Sequence, residues 1–195
     1  MILGVVLAGG ASRRFGSNKA LAELGNKGLL LRVVERARPQ VAQLALGGSN
    51  PAGIAVPVIP DMFPSEGPLT GVYSALHRAR AAGFRAVATF TCDAPFFPLD
   101  LVSRLAEGMP PQQGCRFALS AGIRHPAFAI WRVGALARLE EIYRTGERSL
   151  KRAQDHIGAE AIDFSPGQAP HGDPFFNINR ADDLAVAEAW LKAFG

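Results

Sequence analysis

Short apolar runs alternate with amphipathic segments along most of the chain. The run at residues 2–7 is rich in aliphatic and β-branched side chains and is followed directly by the Ala-Gly-Gly of residues 8–10. This arrangement is typical of a buried strand that ends in a glycine turn. Apolar positions at helical spacing follow in residues 28–38, and Pro39 ends the periodicity. A strand followed by an amphipathic helix is the repeating unit of a parallel sheet.

The same periodicities, followed to the last residue, predict an α/β protein. Strands are predicted at residues 2–7, 41–46, 56–59, 86–91, 116–121, 127–131 and 159–164. Helices are predicted at residues 28–38, 70–82, 99–107, 134–144, 149–156 and 181–194. The short connection at residues 122–126 predicts an antiparallel pair or a mixed sheet edge. Because neither a repeat nor a linker interrupts the pattern, we expect one domain spanning residues 1–195.

The composition is that of a folded protein with a substantial core. Of the 195 residues, 48% are hydrophobic and 19% are charged, which separates the chain from disordered and supercharged classes. The formal net charge is +4, and the basic residues are spread over residues 13–19, 78–85 and 144–152. A nucleic-acid binder concentrates such residues in one stripe with exposed aromatic side chains. The pattern favours a small phosphorylated ligand, and we expect no nucleic-acid partner.

Cysteine usage and the terminal segment indicate a cellular compartment. Cys92 and Cys115 have neither Cys-x-x-Cys spacing nor the density of a secreted disulfide framework, and each is predicted to be a small core residue. The first seven residues lack the basic region of a signal peptide, and no apolar stretch approaches the ~20 residues of a membrane span. We therefore expect a cytoplasmic protein with no membrane partner.

The strongest chemical signal lies in residues 7–19, Leu-Ala-Gly-Gly-Ala-Ser-Arg-Arg-Phe-Gly-Ser-Asn-Lys, directly after the first strand. Glycines let backbone N–H groups approach an anion, and Arg13 and Lys19 can form charge-assisted hydrogen bonds with a triphosphate. The loop lacks the Gly-Lys-Ser/Thr of a Walker A motif and the G-x-G-x-x-G of a dinucleotide fingerprint. It predicts another kind of phosphate site; a strand-to-helix turn with solvated basic side chains is the alternative.

Polar residues that follow predicted strands are the other candidates. Asp93 comes just after the strand at residues 86–91, at the sheet edge where ligands of open α/β sheets collect. One carboxylate there is sufficient for Mg²⁺, which takes its other ligands from phosphates and water; an Asp that caps the turn is the alternative. Asn177 and Asn179 are two residues apart and share one face of an extended segment. Their alternative role is to begin the helix at residues 181–194.

The loop at residues 7–19 resembles the nucleotidyltransferase signature L-A-G-G-x-S-x-R-x-G-x-x-K, and its details are most similar to the molybdenum cofactor guanylyltransferase family. Further matching segments follow in the family's order: Pro60-Asp61, Gly67-Pro68-Leu69-Thr70-Gly71, Cys92-Asp93-Ala94-Pro95, His125-Pro126 and Phe176-Asn177-Ile178-Asn179. The resemblance covers nearly the whole chain. It implies a Rossmann-like three-layer α/β/α sandwich with a central, mostly parallel, mixed sheet.

The resemblance also implies a reaction: GMP moves from GTP to the terminal phosphate of molybdopterin with Mg²⁺, and pyrophosphate is released. The implied catalytic residues are Arg13, Lys19 and Asp93, and Asp93 is the implied metal ligand. GTP binding is implied for Leu7, Ala8, Gly9, Gly10, Lys19, Asn50, Asp61 and Asp93. Molybdopterin binding is implied for Arg14, Gly16, Gly67, Gly71, Asn177 and Asn179. Two kinds of protein partner are compatible with this reaction: apo-molybdoenzymes and a GTP-binding adapter protein.

Three other functions compete with this interpretation. A relative with the same fold can use CTP, but cytidylyltransferases usually have Leu-Ala-Ala-Gly where this chain has Gly9. A sugar-phosphate nucleotidyltransferase normally continues Gly-Thr-Arg-Leu, where this chain has the Ser-Arg-Arg-Phe of residues 12–15. The third alternative is a non-catalytic nucleotide-binding carrier of the cofactor. The presence of both Lys19 and Asp93 argues against it.

The histidines are not assigned to catalysis, because phosphoryl transfer relies on positioning and charge neutralisation. We predict that His125 and Pro126 shape the turn between the strands at residues 116–121 and 127–131. The remaining histidines are predicted at the surface: His77, His156 and His171.

Overall fold

The computed structural model describes residues 1–8, 22–64, 67–165 and 169–194. Within these ranges the strands are β1 (Ile2–Leu7), β2 (Glu23–Leu24), β3 (Lys27–Gly28), β4 (Gln43–Gly47), β5 (Val58–Ile59), β6 (Ala86–Thr91), β7 (Cys115–Ser120), β8 (Ile123–Arg132) and β9 (Glu160–Asp163). The α-helices are α1 (Leu29–Ala37), α2 (Pro68–Ala81), α3 (Leu101–Ala106), α4 (Leu136–Arg144), α5 (Leu150–His156) and α6 (Ala181–Phe194). Short 3₁₀ helices cover Arg38–Gln40, Val133–Ala135 and Pro170–Gly172.

The central sheet of the described chain has the order β5-β4-β1-β6-β8-β7-β9. The strands β5, β4, β1 and β6 are mutually parallel, β8 runs antiparallel to both β6 and β7, and β9 is parallel to β7. The helix α1 lies between β1 and β4 along the chain and α2 lies between β5 and β6, whereas a two-residue turn suffices between the antiparallel strands β7 and β8. The predicted mostly parallel, mixed sheet is confirmed.

Helices cover both faces of this sheet, as the three-layer prediction requires. On one face, α1 and α3 pack on side chains such as Val6 and Phe90. On the other face, α2, α4 and α5 pack on side chains such as Val5 and Val87. Successive residues of β1 therefore enter opposite cores, and Leu3 to Val6 are all buried. This explains why β1 is a continuous apolar run rather than an alternating one.

The predicted turn at His125 and Pro126 is wrong, because both residues lie inside β8. The actual turn is Ala121-Gly122, in which both residues have positive φ (48° and 77°), the geometry of a tight hairpin. The pairing of β7 with β8 shifts register between Phe117 and Ala118, so the ladder is irregular there. Proline cannot donate a ladder hydrogen bond and is accommodated at such a bulge. The His-Pro pair therefore marks a bulge rather than a turn.

Several predicted boundaries also differ. The β2–β3 hairpin, which turns at Gly25 with a φ of +64°, was missed. The strand predicted at residues 56–59 shortens to β5, because Pro57 has no N–H to donate to the ladder. The helix predicted at residue 99 begins at Leu101, after a turn in which the Leu101 amide donates to the Pro98 carbonyl at 3.2 Å.

The cysteines agree with the core prediction. Cys115 is fully buried in β7, and this burial raises the pKa of its thiol well above its ordinary value. Cys92 is half-buried and packs against the apolar cluster that holds Phe90. No helix among the described residues is both long enough and apolar enough to cross a bilayer.

Candidate active site

The carboxyl ends of three parallel strands meet at one edge of the sheet. Leu7, the last residue of β1, is in register with Gly47 of β4 on one side and Thr91 of β6 on the other. The Ala8 amide continues the pairing and donates to the Gly47 carbonyl at 3.1 Å. The chain leaves β1 for β4 on one side and later returns to β6 on the other, so the strand order reverses there. Ligands of open α/β sheets bind in the crevice at such a reversal.

Asp93 occupies this edge at the end of β6. The Thr91 hydroxyl donates a hydrogen bond to Asp93 Oδ1, and the Asp93 amide donates to Thr91 Oγ1 at 3.3 Å. This local pair folds the chain back on itself directly after the strand and orients the half-buried carboxylate. Asp93 is therefore held at the predicted place, two residues beyond the strand end.

The segment with the paired asparagines lies against Asp93. The Ile178 amide donates to the Asp93 carbonyl at 2.8 Å. Ile178 is fully buried, whereas Asn177 and Asn179 on either side are exposed. This alternation agrees with the predicted shared face. The structure therefore brings the asparagine pair and Asp93 together, although they lie far apart in the sequence.

A second group of predicted residues converges at the ends of β1 and β5. A Cβ placed on Gly71 would lie 3.1 Å from Leu7 Cδ2 and 3.8 Å from Asp61 Oδ1. The loop after β5 is tied to α2, because the Met62 amide donates to Ser74 Oγ at 2.9 Å. Gly71 thus allows the first turns of α2 to approach both β1 and the Asp61 carboxylate.

Gly67 lies where the chain enters α2 and is closely packed against the α4–α5 connection. A Cβ on Gly67 would be 3.1 Å from both Cβ and the carbonyl oxygen of Arg148. The Leu69 amide donates a hydrogen bond to the Arg148 carbonyl oxygen at 3.4 Å. A larger residue would displace the loop from Arg148. Sequence reasoning missed Arg148, because no local pattern marks a contact between such distant segments.

Asn50 has a clear local function. Its side-chain amide donates to the Ile54 carbonyl at 2.8 Å, and its Oδ1 accepts from the Ile54 amide at 3.0 Å. These two hydrogen bonds close the turn that follows β4. The side chain therefore shapes a loop at the candidate edge, and direct contact with a nucleotide stays a prediction.

Six predicted site residues lie outside the described residues: Gly9, Gly10, Arg13, Arg14, Gly16 and Lys19. The strand that leads into their loop is described, and it delivers the chain to the sheet edge between Asp61 and Asp93.

Two histidines differ from their predicted surroundings. His125 is buried, with its ring 4.6 Å from that of Phe175 and its Nε2 3.7 Å from Asp173 Oδ1. Burial lowers the pKa of His125, and the Asp173 charge opposes this shift. His77, predicted at the surface, is half-buried; its Nε2 lies 3.3 Å from Glu140 Oε1. His156 and His171 are exposed, as predicted.

Comparison with known protein families decides the family. Residues 4–158 match the model of the MobA-like NTP transferase domain. The chain belongs to this family. Its resemblance to molybdenum cofactor guanylyltransferases, inferred above from ordered motifs, is confirmed. The chain is therefore a MobA-like nucleotidyltransferase.

Relatives of this MobA-like protein match nearly its whole length. It is 43% identical to the molybdenum cofactor guanylyltransferase of Rhizobium leguminosarum bv. trifolii (strain WSM2304), over 98% of this chain and 94% of that protein. It is 37% identical to the molybdenum cofactor guanylyltransferase of Rhodobacter capsulatus, over 98% and 97% of the two chains.

Solved structures show the same fold. The molybdopterin-guanine dinucleotide biosynthesis protein A of Archaeoglobus fulgidus superposes with a TM-score of 0.79 over the whole of both chains, at 23% identity. The 2-C-methyl-D-erythritol 4-phosphate cytidylyltransferase of Thermus thermophilus superposes with a TM-score of 0.67, at 17% identity, over 96% and 98% of the two chains. The fold is thus common to enzymes named for different nucleotides, and the nucleotide of the MobA-like chain must be argued from its site.

Proposed function

We propose that this chain transfers GMP from GTP to the terminal phosphate of molybdopterin, forming a molybdopterin guanine dinucleotide and pyrophosphate. Near full-length relatives at 36–43% identity carry the name molybdenum cofactor guanylyltransferase. The structural observation that supports the proposal is the placement of two residue groups on either side of the β1 end. Leu7, Asp61 and Gly71 form one group, and Asp93 lies with the asparagine pair in the other.

The group at the β5 side suits the nucleotide. Asp61 is a half-buried carboxylate beside the end of β1, where the predicted phosphate loop begins. A carboxylate accepts hydrogen bonds only, and guanine presents two adjacent N–H donors on one edge. Cytosine presents a single exocyclic amino group in the corresponding region. Asp61 is therefore assigned to the guanine, and the glycine loop to the phosphates.

The group at the β6 side suits the second substrate. Asn177 and Asn179 are exposed side chains on one face of a segment that is anchored to Asp93. An amide offers both a donor and an acceptor, and the pterin ring has an aminopyrimidinone edge that requires both. We assign the asparagines to the pterin, with Gly67 and Gly71 on the opposite wall. The acceptor phosphate then lies near Asp93.

The transfer itself is a displacement at phosphorus. An oxygen of the molybdopterin phosphate forms a bond to the α-phosphorus of GTP, the bond from that phosphorus to the bridging oxygen breaks, and pyrophosphate leaves. The attacking oxygen is already anionic, so the site needs positioning and charge neutralisation more than a base. His125 is not assigned a proton transfer; its ring packs on Phe175 and its Nε2 lies 3.7 Å from Asp173 Oδ1.

Asp93 fits a role as a magnesium ligand. Its carboxylate oxygen is a hard donor at the strand end, and the Thr91 hydrogen bond fixes its orientation. Mg²⁺ commonly binds through one or two carboxylates plus phosphate oxygens and water. When bound, the ion would neutralise phosphate charge during transfer. Arg13 and Lys19 are assigned to the same task from the glycine loop.

We also propose that the dinucleotide product is transferred to a protein partner. The dinucleotide is passed on in the cytoplasm, either directly to an apo-molybdoenzyme or with the help of a GTP-binding adapter protein. Co-purification of tagged chain with each partner class, with and without GTP, separates the two routes.

The test is a reaction with defined substrates. Purified protein is incubated with molybdenum-loaded molybdopterin, Mg²⁺ and GTP, CTP or ATP in turn, and the dinucleotide is identified by mass. We expect the guanine dinucleotide, with pyrophosphate in equal amount and no product without the divalent ion. A cytosine dinucleotide would identify a cytidylyltransferase instead. Tight GTP binding without any product would identify a carrier.

A further inference from the structure

The loop that joins β5 to α2 is attached to the rest of the protein at its two ends by different contacts. At the β5 end, the Met62 amide donates to Ser74 Oγ, and that hydroxyl donates to the Thr70 carbonyl, both at 2.9 Å. At the α2 end, Gly67 and Leu69 lie against the backbone of Arg148. The first attachment lies within one segment, whereas the second depends on the α4–α5 connection.

A pair of hydroxyl groups strengthens the second attachment. Thr70 lies in the first turn of α2 and is fully buried, and its Oγ1 is 3.1 Å from the hydroxyl oxygen of Tyr143. Tyr143 belongs to the last turn of α4. Thr70 directly precedes Gly71, the residue that approaches Leu7 and Asp61. The hydroxyl pair therefore links α4 to the turn of α2 that faces the candidate site.

The Tyr143 ring is itself held in place. The Arg148 guanidinium carbon lies 3.7 Å from the ring centroid, and Arg148 Nη1 donates to the Tyr143 carbonyl at 2.8 Å. On the α2 side, the Tyr73 ring stacks at 5.0 Å with an interplanar angle of 17°, and the Phe63 ring stacks at 5.6 Å with an angle of 26°. Rings and guanidinium together fix the direction of the Tyr143 hydroxyl.

We propose that Tyr143 is a positioning residue for the second substrate. Through Thr70 it holds the first turn of α2, and with it Gly67 and Gly71, where the substrate wall requires them. The inference rests on the proposed function, which assigns these two glycines to molybdopterin. Tyr143 acts through Thr70 and is not assigned any contact with the reacting atoms.

Loss of the hydroxyl pair has a specific expected consequence. When the turn occupies its correct position only part of the time, the apparent affinity for the ligand equals the full affinity multiplied by the fraction of molecules in that position. Asp61 keeps its own connection to α2 through Met62 and Ser74. Loss of the hydroxyl pair should therefore raise the KM for molybdopterin rather than the KM for GTP, and a saturating concentration of molybdopterin should restore the rate.

The experiment compares two tyrosines of one aromatic stack. Tyr143→Phe removes the hydroxyl that meets Thr70, whereas Tyr73→Phe removes a hydroxyl from the neighbouring ring and is the matched control. Thr70→Val and Thr70→Ser form a second pair: valine removes the hydroxyl at nearly constant size, and serine keeps the hydroxyl but lacks the methyl group. For each variant, KM for both substrates, kcat, thermal stability and hydrogen exchange at the backbone amides of residues 67–71, Pro68 excepted, are measured.

For Tyr143→Phe and Thr70→Val we expect the KM for molybdopterin to rise about three- to tenfold, the size of one lost hydrogen bond. Amide exchange at residues 67–71 should accelerate, and the KM for GTP and kcat should change less than about twofold. Tyr73→Phe and Thr70→Ser should behave like the parent. If one position yields no folded protein, the variant at the other position decides.

Three results would overturn the inference: an unchanged molybdopterin KM, an equal rise in both KM values, or the same rise in Tyr73→Phe. A lower melting temperature alone would also overturn it, because it would indicate a structural role. A parent protein that forms no dinucleotide from GTP contradicts the proposed function instead. In that case exchange at residues 67–71 still shows whether the hydroxyl pair holds the turn.

Discussion

The backbone amide of Ile178 donates a hydrogen bond to the backbone carbonyl of Asp93 at 2.8 Å. Ile178 is buried and its neighbours Asn177 and Asn179 are exposed, so this bond holds the backbone that carries the asparagines against the backbone of the aspartate. A residue assigned to phosphate chemistry is thereby coupled to residues assigned to substrate recognition. The distance between pterin and acceptor phosphate is a property of the substrate, so a rigid link between their binding residues favours correct positioning.

The first prediction concerns the Asp93 carboxylate. Asp93→Asn should leave the fold intact, since an asparagine oxygen can still accept from the Thr91 hydroxyl, but should nearly abolish turnover. A neutral amide cannot balance the charge of a divalent ion and its phosphates. Turnover is measured at saturating Mg²⁺, with Asp100→Asn, an exposed residue before α3, as the control. Equal rates for Asp93→Asn and the parent would remove Asp93 from the catalytic assignment.

The second prediction separates stability from activity at Gly71. Alanine favours helices over glycine by about 1 kcal/mol, so Gly71→Ala within α2 should not lower stability strongly. Its new Cβ would nevertheless lie 3.1 Å from Leu7 Cδ2 and push against the end of β1. We expect kcat/KM for molybdopterin, the substrate assigned to Gly71, to fall about tenfold, as for one added carbon in a tight site. Gly134→Ala is the control, because nothing lies within 4 Å of its Cβ position.

If Gly71→Ala and Gly134→Ala have the same activity, close approach at Gly71 is not required. A drop in melting temperature that matches the drop in activity would point to general disruption rather than to the site.

The third prediction follows from the lowered pKa of His125, which burial causes and the Asp173 charge opposes. In the unfolded chain His125 binds a proton with its ordinary pKa of about 6.5, whereas in the folded chain the pKa is lower, so the folded chain binds that proton less readily. The free energy of unfolding should therefore fall as the pH drops below that value, by up to about 1.4 kcal/mol per pH unit. Chemical denaturation between neutral pH and pH 5 measures this slope.

His125→Gln should reduce the slope, and His156→Gln, at an exposed position, should not. Identical slopes for parent and His125→Gln would show that other groups cause the pH dependence.

Much of the fold could be predicted from sequence, because burial leaves a local record. β6 and α6 were predicted with the bounds that the structure shows, since a strand buried on both faces is a continuous apolar run. The placement of Asp61 and Asp93 at one edge likewise follows from parallel strands, whose carboxyl ends must coincide. Local sequence was misleading at His125 and Pro126, where a bulge depends on the register with β7.

The support of the site could not be predicted in this way. The hydroxyl oxygens of Thr70 and Tyr143 are 3.1 Å apart, although the two residues are separated by 73 positions in the chain. Nothing near either residue in the sequence distinguishes it from an ordinary helix position. The contact arises when α2 and α4 pack on the same face of the sheet, and it becomes visible only at that level.

The last prediction tests the choice of base at Gly9. This residue follows Ala8, whose amide bonds to Gly47 at the sheet edge, and lacks a Cβ that would occupy space beside a purine. Gly9→Ala should therefore cost GTP more than CTP, by about 1 to 3 kcal/mol, as for one carbon in a closely packed pocket. Gly28→Ala is the control, since nothing lies within 4 Å of its Cβ position. The measurement is the ratio of kcat/KM with GTP to that with CTP in parent, control and variant. Asp61, which we assign to guanine, is unchanged in this variant, so the variant should become a poor GTP enzyme rather than a good CTP enzyme. A ratio that does not fall, or a parent that already prefers CTP, would favour the cytidylyltransferase alternative.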